Sequence, residues 1–416
     1  MSKQQSPFDT LVEQLRASAF ARAAPWVAPR IGAEVELLPL DAETGEVVPL
    51  HERLLPFLRS HARSRGWGEQ ASSKGAPNFV LPDGGALTFE PGGQVEYATP
   101  PHFTPGALLA DVRDVIVALT RAADAKGIQL IGAGIDPFNR IENVPLQVDS
   151  ERYRQMDEYL ATIGTAGAHM MRQTASVQVN VDPVGDPHST WRMLNAAAPY
   201  FTAMFANSSW HAGVNTGEAS RRARMWRLLD PARTGVQPCR TDPAAEYARF
   251  ALAAPVIGLR SEDGDHLPLA DWLERGIGRE VVDEHLTTLF PEVRPKGYFE
   301  VRSIDAIAPE WLAAPILLLA GLVMDTDALG ESARLLGNPD AVLLACAGVA
   351  GMRDEHLADV CGRLAAIASA ACQRQGRNFC SEQDLEEADQ FFERYTRRGR
   401  SPADDSRIQD FVMMRR

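Results

Sequence analysis

The chain has few cysteines, no surplus of positive charge and no long apolar run, and each shortage removes a class of protein. Its five cysteines, Cys239, Cys346, Cys361, Cys372 and Cys380, are odd in number and widely spaced, with no Cys-x-x-Cys pair. Neither a disulfide framework nor a zinc site is indicated, and a reducing cytoplasm is the expected location. The 42 Lys and Arg against 55 Asp and Glu leave a net charge of −13 over 416 residues, which argues against a nucleic-acid or anionic-membrane partner. The longest apolar run, Trp311–Met324, falls short of the roughly 20 residues that span a bilayer and reads as a buried helix. Met1–Phe8 is polar and lacks the apolar stretch of a signal peptide. There is no internal repeat and no low-complexity linker, so one catalytic domain over 1–416 is expected, with a motif-bearing core at 25–330 and a helical portion at 331–416. Nucleotide loops are missing too. No Gly-x-x-x-x-Gly-Lys-Ser/Thr occurs, and Gly132-Ala-Gly134 lacks the third glycine of a dinucleotide turn, so ATP, if bound, lies on a sheet surface.

What is present is a set of short segments with period two. Ser6-Pro7 reads as a helix start, and helices are expected near 7–22, 104–126, 150–162, 187–206, 219–229, 309–325, 353–375 and 382–396. Between them, Ile31–Leu37 places Ile31, Ala33, Val35 and Leu37 on one side and Glu34 and Glu36 on the other. Ala86–Glu90 and Gln94–Tyr97, joined through Pro91-Gly92-Gly93, read as a hairpin that presents Glu90 near Glu96. Thr174–Asp182 alternates strictly, with Ser176, Gln178 and Asn180 opposite Val177, Val179 and Val181. Gly297–Ser303 sets Tyr298, Glu300 and Arg302 against Phe299 and Val301. Such strands between helices predict an α+β fold: a mainly antiparallel sheet with helices on one face.

A single strand of this kind has an ordinary explanation, a polar face in water. Together the polar faces carry Glu34, Glu36, Glu90, Glu96 and Glu300 without a lysine. Two like charges about 4 Å apart repel by roughly 4 kcal/mol at an effective dielectric near 20, so a converging set needs a countercharge. A hard divalent cation supplies one. Carboxylate oxygens, with an amide oxygen from Gln178, suit magnesium, which commonly joins protein carboxylates to phosphates. Phosphoryl transfer is the implied chemistry, with Arg302 and the basic stretch Arg221–Arg227 followed by Arg233 as candidate phosphate partners. His169 and His285 read as hydrogen-bonded structural residues ahead of metal ligands, and Cys239 as a small buried side chain.

These segments also resemble a known family, the plant and proteobacterial type of glutamate–cysteine ligase among the glutamine-synthetase-like carboxylate–amine ligases. The matching stretches are IGAEVE at 31–36, FEPGGQVE at 89–96, MMRQTASVQVNVD at 170–182, MWRLLDPARTG at 225–235 and HLTTLFPEVRPKGYFEVRSID at 285–305. The resemblance implies that ATP phosphorylates the γ-carboxylate of glutamate and that the amine of cysteine attacks the γ-glutamyl phosphate, for glutathione or ergothioneine-related synthesis. It implies a curved antiparallel sheet lining a funnel-shaped site, with Mg2+, replaceable by Mn2+, held by Glu34, Glu36, Glu90, Glu96, Gln178 and Glu300. Arg302 and Arg233 take catalytic roles in that picture. Arg172, Gln178, Asn180, Trp226 and Tyr298 join them as substrate or ATP contacts. A cysteine that plant members carry within the stretch matching Arg172–Val177 is absent here. Two alternatives stay open: a relative that couples glutamate to another amine, and a non-catalytic relative that only binds a small ligand.

Overall fold

A computed structural model describes residues 6–22, 24, 27–72 and 75–405. Its strands, in chain order, are β1 (Ile31–Asp41), β2 (Gly68–Gln70), β3 (Asn78–Val80), β4 (Ala86–Phe89), β5 (Val95–Ala98), β6 (Ile128–Ile131), β7 (Ser176–Val181), the short pair β8 (Trp210–His211) and β9 (Val214–Asn215), β10 (Val293–Pro295) and β11 (Phe299–Asp305). Nine of them form one antiparallel sheet in the order β10-β11-β7-β1-β5-β4-β3-β2, with β6 pairing the far end of β1. The sheet is open, since its edge strands β10 and β2 do not meet. The expected α+β class is the observed one.

β1 is the hub because its alternation suits a strand with two different environments. Its apolar side, Ile31, Ala33, Val35 and Leu37, is buried with Val177, Val179 and Val181 of β7 and Phe299 and Val301 of β11. Burying each Val or Ile contributes roughly 1.5–3 kcal/mol, so this face fixes the register. A slip of one residue would put the glutamates into the core. Helix Pro187–Met204 packs on β11, and helix Ala313–Val323 packs on β7. The latter is buried on every side because helices Glu355–Gln375 and Glu382–Arg394 cover it from behind. Among the described residues no single helix is long and apolar enough to cross a membrane.

Several expected elements have bounds other than those expected. The first helix ends at Ala17, and the fifth expected strand runs Phe299–Asp305 with a register shift between Val301 and Ile304. One extra residue is accommodated there on β11, as in a β-bulge. Helices Leu55–Arg65, Ala166–Gln173, Pro243–Ala253, Arg279–Thr287, Thr326–Leu336 and Ala341–Ala350 were not anticipated. Gly132 and Gly134 belong to packing: a Cβ at Gly132 would lie 2.0 Å from the Ile307 carbonyl oxygen, and one at Gly134 would lie 2.4 Å from Asp305 Cγ.

Candidate functional site

The polar side of the sheet faces a cavity of about 960 Å³. That is at the upper end of the range for small-molecule sites, roughly 300–1,000 Å³. Register places the acids. Glu36 lies directly across from Glu96, Thr88 lies across from Glu96 in turn, and Glu34 lies across from Gln178. Glu90 reaches the same cavity from the β4–β5 turn, where Gly93 adopts φ +89° and a Cβ on Gly92 would lie 2.1 Å from the Arg172 carbonyl oxygen. The turn therefore needs both glycines, one for its backbone and one for its approach.

These carboxylates are placed by hydrogen bonds. Glu36 accepts from the Ser176 backbone N–H at 2.8 Å and from Gln178 Nε2 at 3.0 Å. Glu96 accepts from Thr88 Oγ1 at 2.7 Å, and Glu34 from Asn180 Nδ2 at 3.3 Å. Burial, followed by the charges of Glu300 and Glu96, pushes the Glu34 carboxyl up to about 7, against the opposing pull of Lys296 and Arg302. Burial also raises Glu36, with Arg222 and Arg302 opposing. Both acids gain from added positive charge.

Glu300 has a different setting. It is fully buried and accepts from Arg294 Nε at 2.7 Å, Lys296 Nζ at 2.9 Å and Arg302 Nη1 at 2.8 Å. Burial alone would raise its carboxyl, but the charges of Arg294, Arg302 and Lys296 outweigh it and hold the group well below the usual carboxylate range. The three cations line the cavity; Glu300 sits behind them. Arg302 Nη1 also donates to Gln178 Oε1 at 2.5 Å, so the Gln178 amide joins Arg302 to Glu36, and its oxygen is engaged with the guanidinium.

The remaining expected residues divide. Trp226 lines the cavity, backed by Arg222 4.5 Å over its ring. Arg233 is fully buried and does not line it: Nη1 donates to Thr288 Oγ1 at 2.8 Å, Nη2 to the Pro255 carbonyl, and the guanidinium lies 4.8 Å over Tyr159. Arg172 pairs with Asp157 at 2.9 Å, and Tyr298 lies under Lys296; neither is a lining residue. His169 Nδ1 meets Gln173 Oε1 at 2.7 Å, away from the acids.

Sequence reasoning missed Arg294 and Lys296. The signal was present: Arg294 faces Glu300 across a hairpin whose turn, Lys296–Tyr298, holds Gly297 at φ +84°. It also missed the first helix as a cavity wall, to which Leu11 and Gln14 contribute, and the lining residues Arg152 and Arg279.

His285 yields a separate expectation. It is 2% exposed, and its Nε2–H donates to the Ala251 carbonyl at 2.8 Å while Nδ1 is buried without a partner. Burial, reinforced by the Arg233 charge, lowers its pKa from 6.5 to about 4. The unfolded chain then binds more protons than the folded chain between those values, so stability is full above pH 6.5 and falls as pH drops toward 4. The loss from this residue is about 3 kcal/mol. Urea unfolding at pH 7.5 and 5 is expected to show a smaller difference for His285→Gln than for the wild type; equal differences would rule His285 out as the source.

No three His, Cys, Asp or Glu side chains among the described residues form a ready-made metal cluster. The donors nonetheless fit a hard cation. All are oxygens, two of the acids are raised by burial, and the Asn180 Oδ1 beside Glu34 is buried without a hydrogen-bond partner. Magnesium typically takes one or two carboxylates and completes its shell with waters and phosphates, so a closed protein cage is not required.

Comparison with known proteins gives a consistent answer. Residues 30–410 match the model of glutamate–cysteine ligase family 2. The glutamate–cysteine ligase EgtA of Mycolicibacterium smegmatis is 36% identical over 350 residues, covering 78% of this chain and 78% of that protein. The chloroplastic glutamate–cysteine ligase of Arabidopsis thaliana is 31% identical over 271 residues, covering 59% of this chain and 50% of that one. Among solved structures, a glutamate–cysteine ligase from Francisella tularensis in complex with AMP shares the fold with a TM-score of 0.54 at 11% identity, covering 93% of this chain and 87% of that one.

Proposed function

Since the chain belongs to glutamate–cysteine ligase family 2 and is a ligase, we propose that it uses ATP to join the γ-carboxylate of glutamate to the amine of cysteine. The observation that carries this reading is the division of one cavity into an acidic wall, Glu34, Glu36, Glu90 and Glu96, and a cationic wall, Arg294, Lys296 and Arg302. Polyphosphate chemistry needs both. Magnesium, held by the acidic wall, would neutralise nucleotide phosphates. The chain's own residues do the rest. Arg302, fixed by Glu300 and Gln178, offers a guanidinium to phosphoryl oxygens as the group passes to the γ-carboxylate of glutamate. Arg294, locked on Glu300, adds a second fixed charge on the same side. The cysteine amine then attacks the acyl carbon of the γ-glutamyl phosphate, the carbon–oxygen bond to the phosphoryl group breaks and inorganic phosphate leaves with loss of the amine proton, in a cavity lined by the sheet and Trp226.

Incubation with ATP, magnesium, glutamate and a panel of amines tests the reading. ADP and γ-glutamylcysteine, identified by mass, are expected to appear together, to stop on chelation and to resume with magnesium or manganese. ADP formation with another amine but not cysteine would change the substrate. Full turnover after chelation would remove the cation from the mechanism.

A further inference from the structure

Three cations share Glu300, but they are not held alike. Arg294 has a side chain only 12% exposed; besides Glu300 it donates to the Thr287 and Leu289 carbonyls at 3.2 and 3.4 Å. Arg302 is 10% exposed and is tied to Gln178 as well. Lys296 differs. Its side chain is 37% exposed, its Nζ lies 2.9 Å from Glu300 Oε1 and 3.9 Å from Glu34 Oε1, and its backbone belongs to the three-residue turn between β10 and β11. The ammonium is thus the positive charge set between a buried acid that already has two arginines and a cavity acid that has none so close. A lysine is a point charge on a flexible stem, whereas the arginines are forks committed to several acceptors. Only Lys296 can leave without stranding a buried guanidinium.

We propose that Lys296 is an exchangeable counter-ion of the acidic wall, neutralising Glu34 until a divalent cation takes over that charge, after which its ammonium turns into the cavity to meet phosphate oxygens. The inference rests on the reading of the acidic wall as the cation site. Glu300 keeps both arginines and loses little when Lys296 departs. Glu34 cannot serve the ammonium and a divalent ion equally, because two cations sharing one carboxylate oxygen repel. Metal and nucleotide binding are therefore coupled through one side chain: the metal frees the lysine, and the lysine greets the phosphates.

Manganese binding to the intact protein without nucleotide, followed by the paramagnetic resonance of the free ion, tests this directly. Lys296→Gln and Lys296→Met are each expected to bind Mn2+ about tenfold more tightly than the wild type, since a competing charge is gone. Lys296→Arg is expected to stay near or below the wild type. With Mn2+ saturating, the same neutral variants should bind a non-hydrolysable ATP analogue several-fold more weakly. Unchanged or weaker Mn2+ binding in both neutral variants would overturn the proposal. A Glu36→Gln control separates the two readings. If it leaves wild-type Mn2+ binding intact, the acidic wall is not the cation site; if it abolishes binding while the lysine variants match the wild type, only the role of Lys296 fails.

Discussion

Glu36→Gln is expected to cut turnover by roughly a hundredfold or more at saturating substrates while leaving the protein folded. The side chains are isosteric, and the glutamine oxygen can still accept the Ser176 N–H that now lies 2.8 Å from the carboxylate. Gln178, whose oxygen is held by Arg302, keeps its NH2 toward position 36 and loses that one acceptor, a cost of a single hydrogen bond. What disappears is a full negative charge in the centre of the sheet, opposite Glu96 and one pleat from Glu34. If that charge holds a cation, the loss appears in turnover and in the magnesium concentration needed for half-maximal rate. If instead Glu36 only balances Arg222 and Arg302, which both act on it, turnover stays near wild type and the urea midpoint drops. Glu96→Gln provides a second reading on the same wall, since Glu96 on β5 lies one strand farther from Arg302 than Glu36 does and should reproduce the rate loss with a smaller stability loss. Wild-type turnover in both variants would sink the cation role.

The pleat explains why this wall is legible in the sequence. Strand side chains alternate, so Ile31–Leu37 and Thr174–Asp182 announce both their buried and their polar faces, and Pro91-Gly92-Gly93 announces a reversal. Strands β2, β3, β6 and β10 span only three or four residues and are too short for alternation to show. Their place is set by pairing with longer neighbours. The same limit applies to charge. Arg233 follows a basic run that reads as a phosphate partner, yet its guanidinium is fully buried under Thr288 and Pro255, because tertiary acceptors outside the run decide where it goes. Lys296 escaped notice for the opposite reason: the strand face bearing Glu300 has no lysine of its own, and the neutralising ammonium arrives from the turn before it. Sequence periodicity describes one strand at a time; the cationic wall is a property of two strands and the loop that joins them.

Arg302→Lys isolates the part of that wall closest to the proposed chemistry. In the structure Arg302 Nη1 serves two acceptors, Gln178 at 2.5 Å and Glu300 at 2.8 Å, while Nε is buried without a partner. A guanidinium so placed has donors left over for phosphate oxygens, and its rigid plane presents them as a pair. Lysine retains the charge and can still reach Glu300, so folding should survive. It cannot also hold Gln178 and present a fork. Because the forked contact is worth most when the phosphoryl group lies between two oxygens, the expected result is a fall in kcat of roughly a hundredfold with a several-fold smaller change in the apparent KM for glutamate. Arg302→Ala should cost more, since it also leaves Glu300 with one partner fewer in a fully buried position. Steady-state kinetics on the lysine variant decide between two roles for the same group. A raised KM with kcat intact would make Arg302 a ground-state anchor for the substrate carboxylate, and the phosphoryl-transfer role would pass to Arg294, whose Nε already shares the same Glu300 oxygen.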